Sequence, residues 1–150
     1  MKLAEALIER ADLKRQIQQI VARMKKNAQM QEGDEPDEDV AELYTAYESM
    51  MAKLETLIIR INKTNSETQL DGISITNAIA KRDCVKAIIS ANREIVDAAT
   101  SRRIRLRGSE IKFVRTVDVA KVERVIADYS KQYRVLDTKI QASNWEAELL

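Results

Sequence analysis

The residues best suited to chemistry form a basic segment in the second half of the chain. Six cationic side chains fall within fourteen residues, and Glu110 is the one acid among them. These six residues are Arg102, Arg103, Arg105, Arg107, Lys112 and Arg115. Because a guanidinium group matches the geometry of a phosphate, this basic segment could contact RNA, DNA or nucleotides. Only Phe113 is available there to stack on a base, which gives base recognition little support.

An acidic segment of the same size could neutralise the basic one. Its members are Glu32, Asp34, Glu35, Asp37, Glu38 and Asp39. We favour pairing of the two segments, within one chain or between the chains of an oligomer, over nucleic-acid binding. A solvated face without a partner is the second interpretation, ahead of a nucleic-acid site. The acidic segment lacks the residue order of an EF-hand loop, so it does not indicate a calcium site.

Residue types that usually carry catalysis or metal binding are scarce. The chain has no histidine, which is the commonest general base and zinc ligand. Its single cysteine, Cys84, cannot form an intramolecular disulfide, and no histidine is present to activate the thiol. We therefore predict a protein that is not an enzyme and that has no catalytic residues, metal or cofactor.

Composition predicts one folded domain with an aliphatic core. Of the 150 residues, 45% are apolar and 33% are charged, whereas only 4% are aromatic. A formal net charge of +1 gives no general attraction to nucleic acid or to anionic membranes. Acids interrupt the apolar residues at the N-terminus, and no apolar run approaches the roughly 20 residues of a membrane span. These features predict a cytoplasmic protein.

Four long segments with helical periodicity must position the charged residues. Their apolar residues recur at spacings of three and four, and all three glycines and the single proline fall between them. In the second segment, Tyr44, Met51 and Ile58 widen the apolar stripe by one position per heptad, which predicts packing against more than one neighbour. The third stripe, the least regular, contains Val85, Ile88, Ile89, Ile95, Val96 and Ala99. The predicted helices span residues 2–27, 39–65, 77–101 and 118–144.

The segments between the helices carry turn signals. Residues 28–39 are predicted to form a polar loop, and Asp71-Gly72 between apolar residues is a strong turn signal. Asn65 is a candidate left-handed residue at the end of the second helix.

A different pattern precedes the fourth helix, for which Asp118 is a good N-cap. Residues alternate with period two on both sides of Gly108-Ser109, which predicts a short β-hairpin within 103–113. Continuation of the third helix is the alternative.

Helices of equal length with short connections favour an all-α fold, an antiparallel four-helix bundle in up-down-up-down order. Two long, coiled-coil-like helical hairpins that associate between chains are the competing arrangement. In the bundle, the first and third connections lie at the same end, so the acidic and basic segments would be neighbours.

Several short segments, none of them a chemical motif, carry a family resemblance. They are Lys2–Leu13, Gln31-Glu32-Gly33 with Pro36, Arg60–Asn65, Ser109–Val114, Gln132-Tyr133-Arg134 and Asn144-Trp145. Through them the whole chain resembles a family of small bacterial proteins of unknown function, some of which carry the name septicolysin. The name implies a pore-forming haemolysin, and the resemblance implies no catalytic residues.

The predicted function is protein association by an uncharacterised helical bundle that forms homo-oligomers. The protein partner is not identified by the sequence. One alternative is a nucleic-acid-associated protein that uses the basic segment from Arg102 to Arg115. The other is the haemolytic activity that the name septicolysin implies.

Overall fold

The computed structural model of the protein describes residues 1–101 and 113–150. Their regular structure is almost entirely helical, which confirms the predicted all-α class. The helices are α1 (Leu3–Lys26), α2 (Val40–Glu67), α3 (Ile75–Thr100) and α4 (Val119–Glu146). Each helix begins and ends within two residues of the predicted bounds. The β-hairpin predicted within 103–113 falls largely on residues that lie outside the described ones.

The described residues divide into two compact units. The first unit contains residues Met1–Ile75 and Gln141–Leu150, and the second contains Thr76–Ile140. The single-domain organisation, and the choice between a four-helix bundle and associated hairpins, stay predictions.

In the first unit, α1 and α2 form an antiparallel pair. Arg23, near the end of α1, contacts Glu38, which lies just before α2. On α2, Leu54, Leu57 and Ile61 are buried at spacings of three and four, which place them on one face of the helix. The buried apolar residues are Leu3, Ala4, Ala6, Ile20, Leu43, Leu54, Leu57 and Ile61.

A tight hairpin follows α2. Strands β1 (Gln69–Leu70) and β2 (Ile73–Ser74) pair antiparallel, and the two-residue turn Asp71-Gly72 joins them. Asp71 and Gly72 have φ values of 50° and 83°, and a type I′ turn requires positive φ at both positions. The predicted turn is therefore confirmed.

The end of α2 differs from the sequence prediction. Asn65 was expected to end the helix in a left-handed conformation, which is wrong, because α2 continues to Glu67. Thr68 follows with φ −75° and ψ 129° and leads directly into β1. A strand that begins at once needs extended backbone, so no left-handed residue is required there.

The first unit also joins the two ends of the chain. The Leu3 amide donates to the Ala147 carbonyl oxygen, and the Leu149 amide donates to the Met1 carbonyl oxygen, both at 2.9 Å. These bonds make a single antiparallel bridge, which we call the terminal clasp. The clasp places Leu149, which is buried, on the first unit.

Side chains of α2 reinforce the terminal clasp. The Arg60 Nε donates to the Leu150 carbonyl oxygen at 2.8 Å. The Thr64 hydroxyl is fully buried; it donates to the Arg60 carbonyl oxygen at 2.9 Å and accepts from the Leu150 amide at 3.0 Å. A buried hydroxyl that both donates and accepts leaves no polar atom of this contact unsatisfied.

In the second unit, α3 and α4 also run antiparallel. Val85 and Ile89 of α3 form a core cluster with Ile126 of α4. Arg82, early in α3, donates to Asp137, late in α4, at 3.1 Å. The Asp118 carboxylate accepts from the Lys121 amide at 3.1 Å, which confirms Asp118 as the N-cap of α4.

Candidate association surfaces

Two acids of the acidic segment bind the last turn of α1 within the first unit. The Arg23 Nε donates to both carboxylate oxygens of Glu38 at 3.0 and 3.1 Å, and the Lys26 Nζ donates to Asp37 at 2.8 Å. The hydrogen bond from Arg23 lowers the pKa of Glu38, and the hydrogen bond from Lys26 lowers the pKa of Asp37. These two pairs hold the loop against α1, so both acids have a local structural role.

The other acids of the segment behave differently. Asp39 is the N-cap of α2, because its carboxylate accepts from the Ala41 amide at 2.7 Å. Glu32, Asp34 and Glu35 are exposed and form no ion pair with residues 1–101 or 113–150. The predicted pairing of acidic and basic segments stays a prediction for these three residues.

The basic segment is described only at its end. The Arg115 Nε donates to the Ala99 carbonyl oxygen at 3.1 Å, near the end of α3, where a cation complements the helix dipole. Arg115, Phe113 and Val114 line a cavity of about 760 Å³ with residues from the last turns of α3. Five members of the segment lie outside the described residues, namely Arg102, Arg103, Arg105, Arg107 and Lys112.

One flank of α2 exposes apolar side chains, and we call it the α2 flank. It consists of Tyr44, Met51 and Ile58, the residues that widen the apolar stripe. Tyr44 and Met51 are 53% and 39% exposed, and Ile58 is half-buried. The Tyr44 ring lies against that of Tyr47, with centroids 6.0 Å apart. The added positions of the stripe are thus only partly covered in this structure.

A second exposed apolar surface lies on α3, and we call it the outer seam. Its members follow one another at spacings of four, three, four and three, the heptad spacing of a coiled coil. They are Cys84, Ile88, Ala91, Ile95 and Ala98, all of them exposed. Ile88 and Ile95 are 38% and 43% exposed. Ile95 and Ala98, at the end of the seam, also line the cavity beside Phe113 and Val114.

The outer seam explains the irregular stripe of the third helix. The apolar stripe read from the sequence contains two sets of residues, and in the structure these two sets lie on different sides of α3. Val85 and Ile89 face the core of the second unit, and Val96 packs against it. Ile88 and Ile95 each precede one of these core-facing residues by one position and are exposed. The heptad spacing from Cys84 to Ala98 was the signal in the sequence that could have revealed the outer seam.

Other kinds of site find no support in residues 1–101 and 113–150. No helix there is long and apolar enough to cross a membrane. Within the same part of the chain, no group of three or more Cys, Asp or Glu side chains is arranged to hold a metal ion.

These features define a class: an all-α protein of two antiparallel helix pairs, each with an apolar helix surface left exposed. The chain belongs to a family of unknown function, DUF6847, whose model matches residues 10–149. It is similar to a functionally unknown conserved protein from Corynebacterium diphtheriae, whose crystal structure aligns with a TM-score of 0.93. The two share 35% sequence identity over 100% of this chain and 99% of that one. No curated protein matches the chain.

Membership of an unknown-function family agrees with the resemblance described from the sequence. The family and the Corynebacterium diphtheriae protein are both described as functionally unknown, and neither description mentions haemolysis. Haemolysis therefore stays an alternative prediction for this chain.

Proposed function

We propose that the protein is a non-enzymatic helical module whose function is association with protein surfaces, beginning with other copies of itself. The observation that carries this proposal is the exposure of apolar side chains at heptad spacing on helices that already bury another face. In the α2 flank these are Tyr44 and Met51, and in the outer seam they are Ile88 and Ile95.

Exposed apolar side chains favour association because removing them from water releases about 25 cal/mol per Å². Scattered exposed side chains are normal on a protein surface and need no partner. Residues aligned along one side of a helix differ, because a second helix can cover all of them at once. The regular spacing therefore supports a helical partner.

Charge also supports association between copies. The chain contains six acids between residues 32 and 39 and six bases between 102 and 115, with a net charge near zero. Glu32, Asp34 and Glu35 have no ion-pair partner among the described residues. Opposite charges of this kind would orient two copies and exclude partners of the wrong charge more than they would add affinity.

Sedimentation equilibrium at low and high salt tests the proposal, with protein from about 1 to 200 μM, the range that a small interface requires. We expect dimers or larger species at the upper end. A strict monomer throughout at both salt concentrations would contradict the proposal.

Filter binding of RNA and DNA at low salt tests the nucleic-acid alternative, which predicts binding that weakens steeply with salt. Release of dye from liposomes tests the haemolytic alternative.

A further inference from the structure

We propose that the outer seam of α3 is a homodimer contact, in which two copies of this chain pack α3 against α3 in antiparallel orientation. This inference rests on the proposed self-association and names the surface and the geometry by which it occurs. The seam extends from Cys84 to Ala98, a length of about 21 Å at 1.5 Å per residue.

The outer seam suits a second copy better than the α2 flank does. Glu48 and Glu55 are exposed one turn after Tyr44 and Met51, so two α2 flanks would bring acids against acids. The five members of the outer seam are uncharged. Its small residues, alternating with isoleucines, let the backbones of two helices approach closely.

The order of large and small residues in the seam favours the antiparallel orientation. In heptad terms, Ile88 and Ile95 occupy one type of core position, and Cys84, Ala91 and Ala98 occupy the other. Reversing one helix places each type opposite the other, so each isoleucine lies opposite a small residue of the other copy, and one small residue of each seam lies beyond these mixed layers. Such layers have even volume. A parallel pair would instead alternate layers of two isoleucines with layers of two small residues.

The charges beside the seam favour the same orientation. Lys81 continues the seam beyond its first end, and Glu94 borders it near the other end; both are exposed. In an antiparallel pair, Lys81 of each copy points toward the half of the other helix that carries Glu94. A parallel pair places like charges at the same level, which is unfavourable.

Sedimentation equilibrium of matched variants locates the contact. Ile88→Lys and Ile95→Lys each introduce a charge into the seam, and we expect each to weaken dimerisation at least about tenfold because the lysine would be buried without a partner. Ile59→Lys is the control, since Ile59 is exposed on α2 outside the seam. Far-ultraviolet circular dichroism and thermal melting verify that all three variants remain folded.

Cross-linking of the intact protein with a short bismaleimide determines the orientation. The only cysteine of the chain is Cys84. In an antiparallel pair centred near Ala91, the two Cys84 thiols lie roughly 15 Å or more apart along the helix axis, so the natural protein should not cross-link. The Cys84→Ser, Ala91→Cys variant should, because the new thiols lie close to the two-fold axis.

The outcomes separate this inference from the proposed self-association. A natural protein that stays monomeric overturns both. A natural dimer that Ile88→Lys and Ile95→Lys leave intact overturns the seam and retains self-association. Cross-linking through Cys84 itself overturns the antiparallel orientation. A dimer weakened by both lysines, unaffected by Ile59→Lys and cross-linked only through residue 91 supports the whole inference.

Discussion

Two regions of this protein bury their side chains to different extents, namely the surroundings of the terminal clasp and the core cluster of the second unit. Beside the clasp, Leu3, Ile61 and Thr64 are 0–1% exposed, and backbone hydrogen bonds join the two chain ends there. In the second unit, the core cluster of Val85, Ile89 and Ile126 retains 6–8% exposure. The difference shows that similar apolar periodicity gives a tighter core where neighbouring chain segments close over it.

The same difference bears on function. The chain ends close over the side chains beside the terminal clasp, whereas Ile88 and Ile95 in the outer seam of α3 stay 38% and 43% exposed. Fully buried side chains contribute to the stability of the fold, whereas exposed apolar side chains are available for contact with a partner. Three measurements test this comparison, in order of expected effect.

The largest effect should come from truncating the core of the first unit. We expect Ile61→Ala to lower the free energy of unfolding by about 3–5 kcal/mol, near the upper end for a buried isoleucine. Ile89→Ala, in the core cluster of the second unit, should cost about 2 kcal/mol because Ile89 retains 7% exposure, against 1% for Ile61. Urea unfolding of both variants measures the two costs. Equal costs would remove the proposed contrast between the clasp region and the core cluster.

An intermediate effect should come from the buried hydroxyl beside the terminal clasp. Thr64→Val keeps the shape of the side chain but leaves the Leu150 amide without its acceptor, so we expect a loss of about 1–2 kcal/mol. Thr56→Val is the matched control, because the exposed Thr56 hydroxyl only donates to the carbonyl oxygen one turn earlier. Thermal melting compares them. A Thr64 variant as stable as the Thr56 variant would show that the hydrogen bond from the Leu150 amide contributes nothing.

The smallest effect should be a change of stability with pH. Asp37 and Glu38 have a lowered pKa in the folded state, so the unfolded chain binds protons more readily. The stability that their pairs contribute is present above the ordinary carboxyl pKa of about 4 and is lost as the pH falls through the lowered values. The melting temperature should therefore fall as the pH is lowered from about 5 to about 2. It should fall less steeply in the double variant Asp37→Asn, Glu38→Gln than in the natural protein.

The control for that measurement is Glu9→Gln. Glu9 lies on α1 and has no ion-pair partner among the described residues, so its replacement should leave the slope unchanged. An unchanged slope in the Asp37, Glu38 variant would instead show that the loop pairs do not contribute to the stability of the first unit.

The sequence by itself determined where the helices lie and where the turns between them fall. Apolar spacing of three and four predicted four helices, Asp71-Gly72 predicted the turn, and Asp118 predicted the start of α4. Each of these signals is local, because backbone preference and capping depend on residues within one or two turns. The family resemblance likewise came from the sequence and led to a family of unknown function.

Only the tertiary structure decided which apolar and charged residues are covered. Ile88 and Ile89 are adjacent and chemically identical, yet one is exposed and the other is buried against α4. Asp37 and Glu38 found partners at the end of α1. Periodicity shows that a helix has an apolar side, but burial depends on the neighbour that packs there. That neighbour comes from a distant part of the chain, which local spacing cannot specify.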